Sequence, residues 1–213
     1  MAVSYTEEFA ATIKTYAVQY GVQLDADTIA KLCDYYEQVC AWNPRLHLIA
    51  PCSPAEFATR HVFESMMLLP YLPHGARVAD VGSGAGLPII PCLIARPDIQ
   101  ATLIEASPKK AVFLRETLRC VNRQHAATVI AERFEKSPSP AAEFVTCRAL
   151  DRFILMLPKL IRWSAHASSL LLFGGHAIEE QLNKNALAYT SILLPGSEQR
   201  FLFVVQKNLS VCT

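Results

Sequence analysis

Asp80-Val81-Gly82-Ser83-Gly84-Ala85-Gly86 is the segment of the chain best suited to hold a small molecule. Three glycines at alternate positions let the backbone turn tightly and approach a ligand with no Cβ atom in the way. Arg77 to Val81, just before them, reads as a short buried strand, and a helix is expected to open near Pro88. Unpaired N–H groups at a helix start favour the negative groups of a ligand. The segment therefore reads as the loop of a nucleotide-like cofactor site; the bland alternative is a plain glycine-rich turn. Three later segments could complete such a site. Glu105 ends a second strand about 20 residues beyond the loop, where a carboxylate accepts hydrogen bonds from ribose hydroxyls. Glu132-Arg133-Phe134-Glu135 follows a third strand. There Phe134 suits an adenine face and Glu135 an adenine amino group, unless this is only a solvated loop with one buried phenylalanine. Cys147-Arg148-Ala149 ends a fourth strand. The guanidinium of Arg148 suits a carboxylate or phosphate, or else an ion pair with a neighbouring acid. Cys147 is expected to be a packed small residue.

Spacing separates the possible cofactors. Nicotinamide and flavin sites use G-x-G-x-x-G. Here the third glycine comes one place early, Leu87 fills the last slot, and Asp80 stands two before the first glycine. D-x-G-x-G-x-G resembles the first motif of class I S-adenosylmethionine methyltransferases. An Asp or Asn followed by Pro-Pro and an aromatic, the mark of amino-group methylation at the fourth strand, is absent. Lys109, Lys110, Arg115, Arg119 and Arg123 lie on one expected helix, with the last three at i, i+4 spacing. That stripe is either a phosphate contact or, preferably, a solvated face. The six histidines (His47, His61, His74, His125, His166, His176) show no metal-ligand spacing.

The elements that must position these residues follow from periodicity and punctuation. The first ~70 residues read as helical. Thr6 to Tyr20 stops at Gly21. Asp27 to Ala41 follows, with Ile29, Leu32, Tyr36 and Val39 along one face, and Pro44 is expected to end that region. Ser53-Pro54-Ala55-Glu56 reads as a capping box opening a helix to about Leu69. From Arg77 strands and helices alternate. Strands are expected at Arg77 to Val81, Ala101 to Glu105, Ala127 to Ala131, Glu143 to Cys147 and Ser169 to Phe173. Helices are expected at Pro88 to Ala95, Pro108 to Asn122, Phe153 to Ala165 and His176 to Ala186. Ser191 to Leu194 and Arg200 to Gln206, joined by Pro195-Gly196, close the chain as an antiparallel edge. The expected fold is α/β: a Rossmann-like, mostly parallel seven-stranded sheet with helices on both faces. An N-terminal helical extension, residues 1–72, is expected to pack on a core of residues 73–213 as one continuous domain.

Composition sets the bounds. The chain has 213 residues, is 52% hydrophobic and carries a net charge of +1. A sizeable core can form, and no strong basic footprint argues by itself for nucleic acid. The seven cysteines (Cys33, Cys40, Cys52, Cys92, Cys120, Cys147, Cys212) include no C-x-x-C pair. They read as buried small hydrophobes in a reducing compartment. No signal peptide is expected, and no apolar stretch reaches the ~18 residues of a membrane span. A cytoplasmic protein without membrane or metal partners is expected.

In this order the pieces resemble one family, the small-subunit ribosomal RNA methyltransferase G family, also called glucose-inhibited division protein B. The resemblance runs from about Tyr35 to Lys207. Trp42-Asn43 stands where the family has W-N-x-x-x-N-L-T, and Arg60-His61-Val62-Phe63-Glu64-Ser65 resembles R-H-x-x-D-S. Asp80 to Pro91 resembles D-x-G-x-G-x-G-[FL]-P-G-[IL]-P. Leu103 to Ala106, Lys109-Lys110 and Phe113-Leu114 resemble L-[IL]-[ED]-S-x-x-K-[KR]-x-x-F-L. Arg133-Phe134-Glu135 fits R-x-E, Cys147-Arg148-Ala149 fits S-R-A, and Arg200 to Val204 resembles R-x-L-V-V.

The resemblance implies transfer of a methyl group from S-adenosylmethionine to nitrogen-7 of a guanine in 16S rRNA. It implies that 16S rRNA, or the small ribosomal subunit, is the partner. Asp80, Gly82, Gly84, Gly86 and Leu87 are then expected at the cofactor loop, Glu105 at the ribose, and Phe134 and Glu135 at the adenine. Arg148 is expected between cofactor and target. Arg133, Arg148 and Arg200 are expected to position substrate, with no general base, since guanine nitrogen-7 has a free lone pair. The chain departs from the family pattern at His47, Ile49, Glu64, Ile89 and Gly174. Ile89 is expected to narrow the pocket, and Gly174 to remove a lysine contact. The competing functions are a class I methyltransferase on a non-RNA substrate and a non-catalytic ribosome-assembly protein that binds S-adenosylmethionine. A hydride-transferring oxidoreductase is disfavoured by the glycine spacing.

Overall fold

The computed structural model of the chain describes residues 4–148, 150, 152–164, 167 and 169–207. Ala149, Ala165, His166 and Cys212, named above, lie outside the described residues.

Helix α1 (Tyr5–Tyr16) opens on a capping box: Ser4 Oγ accepts from the Glu7 N–H, and the Glu7 carboxylate accepts from the Ser4 N–H. A 3₁₀ turn, Ala17–Tyr20, ends at Gly21 in the left-handed region. Helix α2 (Ala26–Leu46) contains Pro44, which was expected to end the region. The helix instead runs on to His47, at φ 48°, whose N–H reaches the Asn43 carbonyl at 2.9 Å. So near the end, the proline removes only its own N–H from the ladder.

Helix α3, residues 54–66, consists of an α turn, Pro54–Glu56, a π-helical stretch, Phe57–Phe63, and a closing turn, Glu64–Met66. Ser53 Oγ caps the Glu56 N–H as expected. The reciprocal half of the box is replaced, because the Glu56 carboxylate pairs with Arg60. The helix also stops short of the expected Leu69.

The remaining elements alternate: β1 (Arg77–Val81), α4 (Ile89–Ala95), β2 (Gln100–Ile104), α5 (Pro108–Cys120), β3 (Ala127–Ile130), β4 (Phe144–Arg148), α6 (Phe153–Trp163), β5 (Ser169–Gly174), α7 (His176–Lys184), β6 (Tyr189–Leu193) and β7 (Phe201–Gln206). The sheet order is β3-β2-β1-β4-β5-β7-β6. The first five strands are parallel, and β7 lies antiparallel between β5 and β6. The α/β sheet with an antiparallel edge is therefore as expected. Helices α5 and α7 end two residues early, shortly before left-handed Asn122 and Ala186.

Successive residues of β1 face opposite sides of the sheet. Val78 belongs to a buried cluster with Leu103, Phe113 and the N-terminal Phe9, Ile13, Leu32 and Tyr35. Ala79 and Val81 belong to a second cluster, with Leu157 and Leu160 of α6 and Ile178 of α7. Phe9 stacks on Tyr36 at 4.7 Å, and both rings lean on Phe57, which ties the first three helices together. Of the described cysteines, Cys92 and Cys147 are buried, Cys33 and Cys52 are half-buried, and Cys40 and Cys120 are exposed. The expectation that all are buried is corrected: four of the six described cysteines keep part of their surface exposed.

Candidate active site

In an open α/β sheet the ligand crevice lies beyond the carboxyl ends of the strands, where the strand order reverses. Here that point is β1, which pairs with β2 on one side and β4 on the other. A cleft of about 1140 Å³ opens there. Gly82, Gly84 and Leu87 line it from the loop after β1, Glu105 from β2, Arg133, Phe134 and Glu135 from beyond β3, Arg148 from the end of β4, and Arg200 from just before β7. Asp80 and Gly86, expected with them, do not line it. They lie buried beneath the loop.

The loop turns through left-handed conformations at Gly82, Gly84 and Gly86. A Cβ on Gly86 would stand 2.4 Å from Ile90 Cδ1, and one on Gly82 would stand 2.8 Å from Leu150 Cδ1. At Gly84 a Cβ would meet only the Gly82 carbonyl, at 3.7 Å. The first and third glycines thus let the loop fold, while the second faces open cleft. The Glu105 carboxylate accepts from the Gly84 N–H at 2.9 Å and from the Ser107 N–H at 2.7 Å. It fixes the loop, and the carboxylate's remaining lone pairs stay available to a ligand. Phe134 is buried edge-on against Trp163 at 5.7 Å, so it forms a firm wall. Arg133 and Glu135 are exposed at the rim.

Asp80 is fully buried, and neither of its carboxyl oxygens has a hydrogen-bond partner. Burial pushes its carboxyl up to about 8. Cys147 is packed at 0% exposure with its thiol pushed up by burial, so it is no nucleophile.

Beside the loop lies an ionic cluster that sequence reasoning did not assemble. Glu64, at 0% exposure, faces two arginines. Arg148 Nη2 donates to its Oε2 at 3.0 Å, and Arg200 Nη1 lies 2.7 Å from its Oε1. Burial pushes the Glu64 carboxyl up, against the pull of both guanidinium groups. Arg148 also donates to the Arg60 carbonyl at 2.8 Å and sits 5.5 Å above the centre of the Phe173 ring. His61, next to them, has its pKa pushed down to about 4 by burial and then by Arg148 and Arg60. The one available signal for this cluster was an acid inside the apolar run Val62 to Met67, since a charge there must find partners.

Two further contacts escaped the sequence. The Tyr35 hydroxyl of α2 donates to the Ala85 carbonyl of the glycine loop at 2.9 Å. The Asn43 side chain accepts from Leu48 N–H and Ile49 N–H and donates to the Ile49 carbonyl, pinning a turn that lines the cleft.

One expectation is corrected: Ile89 is wholly buried outside the cleft and does not narrow it. Gly174 lines the cleft, and a Cβ there would stand 2.1 Å from Ile178 Cδ1. Arg115 and Arg119 are exposed on α5, as a solvated face was expected to be; Arg115 donates to the Val129 carbonyl and Arg119 pairs with Glu116. Arg123 lies beyond the end of α5 and holds the Leu93 and Ile94 carbonyls at the end of α4.

The family model described as rRNA small subunit methyltransferase G matches residues 28–209. The chain belongs to the rRNA small subunit methyltransferase G family. It is 37% identical over 206 residues to the ribosomal RNA small subunit methyltransferase G of Xanthomonas axonopodis pv. citri (strain 306), covering 90% of this chain and 94% of that one. The protein of the same name from Sorangium cellulosum (strain So ce56) is 40% identical over 169 residues, 76% of this chain and 70% of that one. Among solved structures, the O-methyltransferase from Bacillus cereus in complex with SAH shares the fold. Its TM-score is 0.61 at 16% identity, covering 95% of this chain and all of that one. This methyltransferase G family member thus has the α/β sheet of class I methyltransferases. Among the described residues, no helix is long and apolar enough to cross a membrane, and no cluster of three His, Cys, Asp or Glu could hold a metal.

Proposed function

We propose that the protein transfers the methyl group of S-adenosylmethionine to nitrogen-7 of a guanine in 16S rRNA. The observation that carries this is convergence. The glycine loop, Glu105, Phe134 and Arg148 come from four separate segments and border one cleft, in a chain of the rRNA methyltransferase G family. The donor fits the residues present. Gly84 faces open cleft, Glu105 offers a carboxylate at the end of β2, and Phe134 offers a flat apolar wall. In this role Gly82, Gly84 and Leu87 line the donor, and Glu105 takes the ribose. Phe134 and Glu135 flank the adenine. Asp80 and Gly86 act from beneath by holding the loop.

The bound donor supplies an electrophilic methyl group on a sulfonium. The protein supplies placement. Guanine nitrogen-7 carries a free lone pair, so no side chain need remove a proton, and the rate gain comes from alignment. Arg148 and Arg200 face the base, and Arg133 faces the backbone. Lys110, Arg152 and Lys159 also line the cleft, so a chain of net charge +1 still presents cations where phosphates would lie. On this reading the protein works in the cytoplasm, on the ribosomal small subunit or its RNA.

Methyl transfer to naked 16S rRNA, to 30S particles and to a blank without RNA tests the proposal. Formation of N7-methylguanine on one RNA form is expected, and incorporation on neither form would refute it. Calorimetry should show binding of S-adenosylhomocysteine and not of NAD.

A further inference from the structure

Helix α6 turns Leu157 and Leu160 into the core and leaves another side uncovered. Arg152, at its N-cap, is followed by Leu155, Lys159 and Arg162 at steps of three, four and three residues, which keeps the four on one face. All four are exposed, Leu155 at 70%. Among the described residues, no side chain of these three cations has a hydrogen bond or an ion pair. Elsewhere Arg60, Arg77, Arg96 and Arg119 each face a carboxylate. The sequence keeps acids away from α6: Arg152 through Ile178 contain no Asp or Glu.

The row starts at the cleft and leads out of it. Arg152 and Lys159 line the cleft, and Arg162 does not. Ten residues of helix put Arg162 about 15 Å beyond Arg152 along the axis. The far end is firmly held. The Lys207 ammonium donates to the Ile161 and Ser164 carbonyls at 2.7 Å each, and Trp163 Nε1 donates to the Ser137 carbonyl at 2.8 Å.

We propose that the outer face of α6 carries the RNA strand as it leaves the cleft, with phosphates on Arg152, Lys159 and Arg162 and a base against Leu155. A row of unopposed cations suits a chain of negative charges better than it suits one phosphate group. Leu155 among them offers apolar surface, as wedging residues in nucleic-acid sites do. An anionic membrane would attract the same cations, but an interfacial helix also needs its apolar face free, and that face of α6 lies in the core. The proposal rests on the rRNA reading above and deepens it by giving the RNA a path beyond the cleft.

The test is the affinity of the full chain for 16S rRNA measured across salt concentrations. Lys159→Gln combined with Arg162→Gln removes two cations at exposed positions. The plot of log K against log salt should become shallower by about 0.7–0.9 for each cation, and affinity near 0.1 M salt should fall about tenfold or more. Lys14→Gln combined with Arg119→Gln makes the same charge change on α1 and α5, which pack on the opposite side of the sheet. That pair should keep affinity within about twofold and the slope of the wild type. Leu155→Ala should weaken binding about threefold with the slope unchanged, since it removes an apolar contact and no charge. Circular dichroism checks that each variant folds; if the α6 pair does not, Arg162→Gln alone should give half the change in slope.

A wild-type slope in the α6 variants overturns the proposal, and so does an equal loss in the α1 and α5 pair. An α6 pair that keeps its rRNA affinity but loses binding to phosphatidylserine vesicles overturns it in favour of a membrane. Undiminished binding by Leu155→Ala overturns the base contact. Failure of the functional reading is seen separately, as wild-type protein that forms no N7-methylguanine on either RNA form.

Discussion

Gly84 and Gly86 stand two residues apart in one loop, yet the structure gives them different duties. At Gly84 the space a side chain would enter is open cleft, and φ is +51°, a conformation that Asp tolerates. Gly84→Asp should therefore fold. It should weaken S-adenosylhomocysteine binding by about a hundredfold or more, roughly 2.7 kcal/mol, because a second carboxylate joins Glu105 where the ligand must lie. Unchanged affinity by calorimetry would show that the loop does not hold the donor. Gly86→Ala is the opposite case. Its Cβ would stand 2.4 Å from Ile90 Cδ1 and 2.7 Å from Cγ1, at φ +84°. A loss of about 2 kcal/mol or more of stability is expected in chemical denaturation. The glycine motif was legible in the sequence because glycine spacing reports backbone demands directly. Glu64 was not, because its partners lie 84 and 136 positions away.

At the scale of elements, α2 matters for the site in a way its pattern concealed. Its apolar spacing marks one face through Ile29, Leu32, Tyr36 and Val39, and this identifies a packed helix. Tyr35 adjoins that face, is fully buried, and sends its hydroxyl to the Ala85 carbonyl in the loop after β1. Periodicity finds which side of a helix is buried but not what a hydroxyl at its edge will meet. Tyr35→Phe removes one buried donor and strands the carbonyl, so stability should fall by about 1–3 kcal/mol. S-adenosylhomocysteine affinity should fall several-fold as the loop loosens. A variant matching wild type on both counts would show that the tether has no influence on the site. Strand positions were read to within a residue except at β6, which starts at Tyr189, two residues before the expected Ser191, since short apolar runs between turns allow little choice. Helix ends were read two residues long at Asn122 and Ala186, because left-handed caps without glycine leave little trace in a sequence. The π-helical stretch that brings Arg60, His61 and Glu64 to the cleft had no sequence signal, since its one-residue widening keeps the same apolar residues.

At the scale of the whole molecule, the central strand carries an acid that makes folding itself depend on pH. Asp80 sits on β1, hydrogen-bonded between β2 and β4 with a buried cluster on each face, and its carboxyl titrates at about 8. In the unfolded chain it titrates near 3.8. Below that value both states hold the proton. Above it the unfolded chain ionises while the folded protein keeps its proton, so stability drops as pH rises toward 8. The slope is about 1.4 kcal/mol per pH unit for one proton. His61 works in the opposite sense. Its folded value is about 4 against 6.5 unfolded, so its contribution is complete above 6.5 and is lost as pH falls toward 4. Between about pH 4.5 and 6 the Asp80 and His61 slopes offset one another. From 6.5 to 7.5 the unfolded His61 loses most of its remaining charge, so its opposing slope fades, and Lys207, which burial lowers to about 8, is still mostly charged. Asp80 then sets the sign of the slope. Urea unfolding across that interval should show a declining free energy in the wild-type protein. Asp80→Asn, a neutral group of the same shape, should abolish the decline and uncover the falling acid limb set by His61. A wild-type profile that rises with pH between 6.5 and 7.5 would mean that Asp80 is ionised in the folded core and meets a cation or donor there.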